Sequence, residues 1–178
     1  HIEQVEQQIA RHPVIQQLRQ RTDLIESRPH LKIHEADRPH NLTAGTLAGP
    51  GRITIAPHVF GDRQGTELYV VAHLGADLCG HDGIVHGGLL ATLLDEGLAR
   101  CCFPALPNKI GVTANLNVDY RKPTKANQLV MLKAKTLKVE GRKAWVEGKI
   151  VSMDADKEGD TLVQAKALFV EPKYAALM

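Results

Sequence analysis

Two adjacent glycines, Gly87 and Gly88, stand directly before the longest apolar helical run in the sequence. Glycine is costly in the middle of a helix but suits a helix start. The first N–H groups of a helix have no partners within it, so they can bind an anion or a polarised carbonyl oxygen. The pair therefore indicates either an oxyanion-binding amide or a tight strand-to-helix turn that binds nothing.

One acidic residue of this run, Asp95, has no basic residue three or four positions away. It lies on a stripe of small residues along the helix, formed by Gly88, Thr92, Asp95 and Ala99. An unpaired carboxylate on a packed face is costly unless its proton affinity is used. The neighbouring Glu96 differs, because Arg100 lies one turn further on and can pair with it. Asp95 is therefore the candidate base or nucleophile.

The spacing of these groups carries information about assembly. Gly88 and Asp95 are seven residues apart, which is roughly 10.5 Å along a helix. A base must lie within about 3 to 3.5 Å of the group with which it reacts. One helix cannot place both residues on one substrate, whereas two antiparallel copies can. The sequence therefore predicts a dimer, or a larger homo-oligomer, with sites shared between chains.

The elements that must position these residues follow from hydrophobic periodicity. Apolar residues at helical spacing predict an amphipathic helix over residues 1–25, broken at Pro13. A Gly- and Pro-rich run over 35–51 predicts a loop or linker. Residues 1–50 are accordingly expected to form a helical extension and linker, and residues 51–178 the main domain.

Within the main domain the pattern predicts one helix and six strands. The helix covers 83–103 and is stopped by Pro104, and the strands cover 52–56, 67–72, 112–120, 129–139, 144–153 and 161–170. Strands and helices do not alternate along the chain. The expected fold class is therefore α+β, with an antiparallel sheet around one central helix and an extra N-terminal helix.

Composition and charge exclude several classes of protein. The 178 residues carry a net charge of +2, with 43% hydrophobic and 4% aromatic residues. The sequence contains no apolar run of 18 residues, so it predicts no membrane span. Residues 120–149 contain nine basic and two acidic residues. This excess indicates either a solvated sheet surface or a site for a small phosphorylated ligand. Nucleic acid is not expected, because few aromatic side chains are present to stack on bases.

Cysteine and serine patterns give no alternative chemistry. The three cysteines include the adjacent Cys101 and Cys102, an arrangement that favours a reducing, intracellular location over a disulfide framework. A zinc site built from Cys79, His81 and His86 would need a further ligand from a distant part of the chain. No G-x-S-x-G motif of a serine hydrolase occurs. No metal and no cofactor are expected.

Three motifs in order resemble the hotdog-fold thioesterase superfamily, and within it the acyl-CoA thioesterases with an HGG…D motif that include mammalian mitochondrial members. The motifs are His86-Gly87-Gly88 with Asp95 nine residues after the histidine, TANLNVDYRKP over 113–123, and VEGRK over 139–143. The resemblance implies a helix wrapped by an antiparallel sheet, a homodimer or larger assembly, and hydrolysis of acyl-CoA. The family leans towards mitochondria, so the expected location is intracellular, either mitochondrial or cytoplasmic.

The resemblance also implies roles for individual residues. Asp95 would be the base or nucleophile, Thr113 would orient it or the attacking water, Gly88 would offer the oxyanion-binding amide, and His86 would shape the turn. The residues expected to bind substrate are Gly87, His81, Arg121, Lys122, Arg142 and Lys143, the four basic ones meeting the CoA phosphates. A protein that binds acyl-CoA without hydrolysing it is the alternative.

Two departures from the family pattern accompany these roles. The loop between Asp95 and Thr113 is about two residues longer than in the mammalian relatives. Some hotdog thioesterases place Asn or Gln ahead of HGG to polarise the carbonyl. Here that stretch is Gly80-His81-Asp82, so His81 is the candidate for that role.

Overall fold

The computed structural model describes all residues from His1 to Met178. Its helices are α1 (Ile2–Arg11), α2 (Pro13–Gln20), the single turn α3 (Pro29–Lys32) and α4 (Gly87–Cys102). Its strands are β1 (Ile25–Ser27), β2 (His58–Gly61), β3 (Glu67–Leu74), β4 (Cys79–His81), β5 (Ile84–Val85), β6 (Val112–Tyr120), β7 (Gln128–Glu140), β8 (Lys143–Met153) and β9 (Glu158–Val170). No helix is long and apolar enough to cross a membrane.

Seven of the strands form one antiparallel sheet. Its strand order is β1-β2-β3-β7-β8-β9-β6, and β4 pairs separately with β5. Strand β6 pairs only with β9, in a register that sets Val112 opposite Val170 and Tyr120 opposite Val163. Its other edge has no partner within the chain, and most of its side chains are exposed. Unpaired strand edges of this length are templates for pairing with another chain.

Helix α4 packs on one face of the sheet through the apolar stripe visible in the sequence. Leu90, Leu94 and Leu98 are buried there. Two glycines allow the close approach, since a Cβ on Gly97 would lie 2.6 Å from Leu132, and a Cβ on Gly148 would lie 2.6 Å from Leu98. The helix ends where Phe103 and Pro104 begin a 3₁₀ turn. The α+β prediction with an antiparallel sheet and a central helix is confirmed.

The N-terminal helices cover the opposite face of the same sheet. Ile9 and Ile15 share a buried cluster with Phe60, Val71 and Met131. In addition, β1 pairs with β2 as the first strand of the sheet. Central strands are consequently buried on both faces, which explains the continuous apolar run of β7. We propose that the chain divides near residue 50 into an N-terminal extension and a main domain, and that both contribute strands to one sheet.

The predicted strand over 52–56 is wrong. Ile53 makes only isolated bridges to Ala48 and Leu74, and the strand that pairs with β3 is His58–Gly61, directly after Pro57. The alternating apolar residues that suggested this strand do point to opposite sides of the chain. Ile53 enters the cluster under α4, and Ile55 enters the one under the N-terminal helices. The predicted break at Pro13 is confirmed, because α1 and α2 meet there.

Candidate functional site

Asp95 and Thr113 meet where α4 passes the start of β6. The Thr113 hydroxyl donates a hydrogen bond of 2.7 Å to Asp95 Oδ1. Asp95 is half-buried, makes no ion pair, and leaves its second carboxylate oxygen free of hydrogen bonds within the chain. A carboxylate fixed by one hydroxyl and open to solvent on its other side can act on a water molecule or on a bound electrophile.

At the start of α4, the side chain of His86 caps the helix. The Gly88 N–H donates to His86 Nδ1 at 2.8 Å. The expectation that Gly88 offers a free amide therefore needs correction, because that N–H is already satisfied. The Gly87 N–H has no acceptor within the chain, as geometry requires for the first residue of a helix. The amide available to a ligand is that of Gly87.

Glycine at position 88 is needed for the cap itself. A Cβ there would lie 2.9 Å from His86 Cε1, so any side chain would displace the imidazole. The Gly87 carbonyl accepts a hydrogen bond of 2.6 Å from the hydroxyl of Tyr120. Sequence analysis missed Tyr120 as a site residue, although it stands in the YRKP end of the second motif. The last residue of β6 thus holds the first residue of α4.

Within one chain, the structure separates the free amide from the carboxylate. Gly87 and Asp95 lie eight residues apart on α4, about 12 Å along its axis. Strand β6 touches both places, with Thr113 near its start beside Asp95 and Tyr120 at its end beside Gly87. One chain therefore carries the carboxylate and the free amide near opposite ends of a strand whose outer edge is unpaired.

The four basic residues expected to bind one nucleotide do not cluster within the chain. Arg121 lies beside Leu162 near the start of β9, whereas Lys143 lies opposite Val170 at its end. Eight residues of strand separate the two positions, roughly 26 Å. The Arg142 guanidinium donates to the Glu171 carbonyl oxygen at 2.7 Å, so it holds the end of β9. Lys143 is exposed and unpaired.

The remaining candidate, His81, ends β4 next to the His86 cap. Its ring is exposed and hydrogen bonds to no other side chain. Strand β4 passes so close to His86 that a Cβ on Gly80 would lie 3.0 Å from the imidazole Cδ2. His81 therefore flanks the start of α4 without contacting Asp95 or Thr113.

The other titratable groups near α4 are two unreactive thiols and a carboxylate that stabilises the fold. Burial raises the pKa of the Cys101 thiol to about 11 and that of Cys102 to about 12, so neither is a nucleophile at neutral pH. Glu96 pairs with Arg100 at 2.9 Å, as predicted, and also with His30 at 2.7 Å. Burial opposes ionisation of Glu96, but His30, Thr43 and Arg100 outweigh it and lower its pKa to about 2.

Comparison with known proteins agrees with this architecture. The sequence profile of the thioesterase superfamily matches residues 82–158. A mitochondrial protein of Candida albicans without assigned activity is 37% identical over 155 residues, which cover 82% of this chain and 70% of the relative. Acyl-coenzyme A thioesterase THEM4 of Rattus norvegicus is 40% identical over 97 residues, 54% of this chain and 40% of the relative.

A solved structure shows the same fold. The crystal structure of a thioesterase superfamily protein matches with a TM-score of 0.55 and 31% identity, covering 70% of this chain and 58% of that one. An antiparallel sheet wrapped around one long helix defines the hotdog class of folds. The chain belongs to the thioesterase superfamily. It spans about half the length, or less, of several curated relatives that it matches.

Proposed function

We propose that the protein is a dimeric acyl-CoA thioesterase in which Asp95 of one chain acts on a thioester bound at Gly87 of the other. The observation that carries the proposal is the pair of half-sites along β6. Thr113 fixes the Asp95 carboxylate at one end, and Tyr120 fixes the start of α4, with its free amide, at the other. Neither half can serve a substrate alone, because about 12 Å of helix separates them.

Antiparallel pairing of two β6 edges would join the halves. With a two-fold axis through Leu116, the middle of β6, Thr113 of one chain would lie opposite Asp119 of the other. Asp119 precedes Tyr120, the residue that contacts Gly87. Each Asp95 would thus face the helix start of the second chain, and the dimer would contain two equivalent sites.

The chemistry follows from these positions. The Gly87 N–H donates to the thioester carbonyl oxygen, where negative charge develops as the carbonyl carbon becomes tetrahedral. On one route, Asp95 removes a proton from water as the water oxygen attacks that carbon, the C–S bond breaks, and the CoA thiolate takes the proton back from Asp95. On the other route, the Asp95 carboxylate attacks the carbon, the C–S bond breaks with release of the CoA thiolate, and water opens the resulting anhydride and supplies the proton that the thiolate takes up. Both routes give a carboxylic acid and CoA. Thr113 holds the Asp95 carboxylate throughout.

The same dimer would reunite the basic residues. Since β6 starts beside the end of β9 and ends near its beginning, antiparallel β6 strands bring Arg121 and Lys122 of one chain towards the 142–143 turn of the other. Three of the four side chains are exposed; Arg142 is half-buried. We infer that Arg121, Lys122 and Lys143 meet the CoA phosphates and that Arg142 mainly holds the fold. Lys122 must then exchange its partner Asp160 for phosphate.

The test is hydrolysis of acyl-CoA by the purified protein, followed as release of the CoA thiol. Asp95→Asn should lower kcat by at least about 100-fold, since loss of a positioned base costs 10² to 10⁴. Asp156→Asn, an equivalent change in an exposed turn, is the matched control and should change nothing. If the wild type binds acyl-CoA tightly and releases no thiol, the enzyme proposal is refuted and the binding-protein alternative stands.

We also propose a mitochondrial location. The support is the Candida albicans relative, whose name places it in mitochondria. Fractionation of cells that express the natural full-length protein with a C-terminal tag tests this. Recovery of the tag in the cytosolic fraction would contradict it.

A further inference from the structure

Strand β7 runs past its neighbour β3 and leaves a free edge near its end. The last hydrogen bond on that side joins the Thr136 N–H to the Thr66 carbonyl oxygen, and residues 138–140 pair only with β8. Leu137 lies in a bulge, since the register shifts between Thr136 and Lys138. A bulge and neighbouring lysines protect a strand edge from pairing with another strand. This edge is therefore not a site for an added strand.

The same segment nevertheless exposes apolar side chains. Leu137 is 49% exposed and Val139 is 40% exposed. Trp145, the only tryptophan of the chain, lies opposite Lys138 in the β7–β8 hairpin and is half-buried. The Lys138 ammonium lies 5.2 Å from the centre of the Trp145 ring. Single exposed apolar residues are ordinary, whereas neighbouring ones mark a surface that contacts another body.

Basic side chains surround these apolar ones, at the β7–β8 turn and the end of β9. Lys143 pairs with Glu140 on one side and with Val170 on the other, so the three strands lie about 4.8 Å apart here. Glu171 follows Val170 and accepts hydrogen bonds from Asn108, which brings the loop after α4 to the same place. Five basic residues face two carboxylates at this end, a net charge of +3: Lys109, Lys138, Arg142, Lys143 and Lys173 against Glu140 and Glu171.

We propose that this end of the sheet, formed by Leu137, Val139, Trp145 and the five basic residues around them, binds the surface of a membrane that contains anionic lipids. Lipid phosphates complement the positive charge. Lysine can keep its ammonium among phosphates while its methylene groups follow aliphatic side chains into the bilayer. A tryptophan ring with one wet edge suits the same boundary. The free backbone groups of the β7 edge stay hydrated among the headgroups, so they need no partner strand. The inference does not depend on thioester hydrolysis.

The experiment measures binding of the full chain to vesicles of phosphatidylcholine, with and without phosphatidylglycerol, by cosedimentation and by the fluorescence of Trp145. The wild type should bind only the anionic vesicles, with a blue shift of the emission, and should bind less in high salt. Leu137→Ser with Val139→Ser should weaken binding about tenfold, because partial burial of two aliphatic side chains is lost. Leu31→Ser with Leu42→Ser changes two aliphatic side chains of similar exposure elsewhere. This matched control should leave binding unchanged.

A second pair of variants tests the charge separately. Lys109→Gln with Lys173→Gln should weaken binding to anionic vesicles roughly fivefold for each charge removed, whereas Lys32→Gln with Lys125→Gln, two exposed lysines elsewhere, should change it little. Lys143 is not varied, because the proposed dimer assigns it to CoA.

The outcomes separate the membrane from other occupants of this surface. Equal binding to both kinds of vesicle overturns the proposal, and so does undiminished binding by Leu137→Ser with Val139→Ser when circular dichroism shows that the variant is folded. If that variant fails to fold, quenching of Trp145 by brominated lipids decides, and an unquenched tryptophan overturns the proposal. A wild type that binds no vesicle also overturns it, and a smaller oligomer in Leu137→Ser with Val139→Ser would then assign the surface to contact between copies of the chain.

Discussion

Replacing Glu96 by Gln should cost stability at neutral pH and almost nothing in acid. Its pKa is held at about 2 against an ordinary value of 4.5, which corresponds to roughly 3 kcal/mol. Because about a quarter of the side chain is exposed and glutamine keeps one acceptor oxygen for His30, we expect a loss of roughly 2 kcal/mol. A depressed carboxyl pKa stabilises the fold fully above pH 4.5, and this contribution is lost as the pH falls towards 2.

The measurement is urea denaturation of wild type and variant at fixed protein concentration and at several pH values between 7 and 3. The difference in unfolding free energy should shrink steadily below pH 4.5, because the unfolded chain takes up the proton there while folded Glu96 stays ionised until the pH approaches 2; at pH 3 roughly half of the difference should be lost. Glu140→Gln is the matched control, because Glu140 pairs with Lys138 on an exposed hairpin and should matter little. A difference of the same size at pH 7 and pH 3 would refute the reasoning, because it could not come from ionisation of Glu96.

Three further predictions concern the site. Thr113→Val should lower kcat about tenfold or more, the value of a hydrogen bond to a charged group, while Thr113→Ser should retain activity; an unaffected Thr113→Val would contradict the positioning role. Valine at position 88 displaces the His86 cap, so Gly88→Val and Asp95→Asn each inactivate a different half of the site. Mixed at equal amounts, the two variants should recover about a quarter of wild-type activity, because half of the random dimers contain one complete site out of two. A fully active monomer in light scattering would exclude shared sites. Lys143→Ala should raise KM for acyl-CoA severalfold and leave kcat unchanged, and the rise in KM should be smaller for thioesters without the nucleotide and in high salt. Equal changes in KM for both kinds of thioester would refute the phosphate contact. Arg142→Ala should instead lower stability, because the hydrogen bond to Glu171 is lost.

The sequence by itself was sufficient for the elements whose signals are local. The leucine spacing and Pro104 predict a helix over 83–103, and the observed helix covers 87–102, because 84–85 form β5 and His86 caps the helix; β6 was predicted at its observed bounds. The other long strands β7, β8 and β9 also follow from their apolar pattern and the turns between them. Such signals lie within one element, where spacing of 3.6 or 2 residues specifies which side chains share a face.

Tertiary structure decided the features that depend on contacts between distant segments. The sequence placed a strand at 52–56 from its alternation, but the backbone of β3 pairs with His58–Gly61 instead, because pairing depends on how the whole loop packs. The sequence assigned the free amide to Gly88, and only the orientation of the His86 ring shows that Gly87 holds it. The sequence also suggested that four basic residues lie together, whereas in the chain they lie at opposite ends of β9.

The N-terminal segment shows the difference most clearly. Its amphipathic helices were readable, since one apolar face per helix predicts a partner surface. The sequence does not show which surface these helices cover, because many apolar faces are equivalent in composition. Only the folded sheet brings Phe60, Val71 and Met131 side by side. The contact of His30 with Glu96 spans 66 residues of sequence. Burial of both side chains selects that contact, and burial is a property of the packed chain that no local pattern contains.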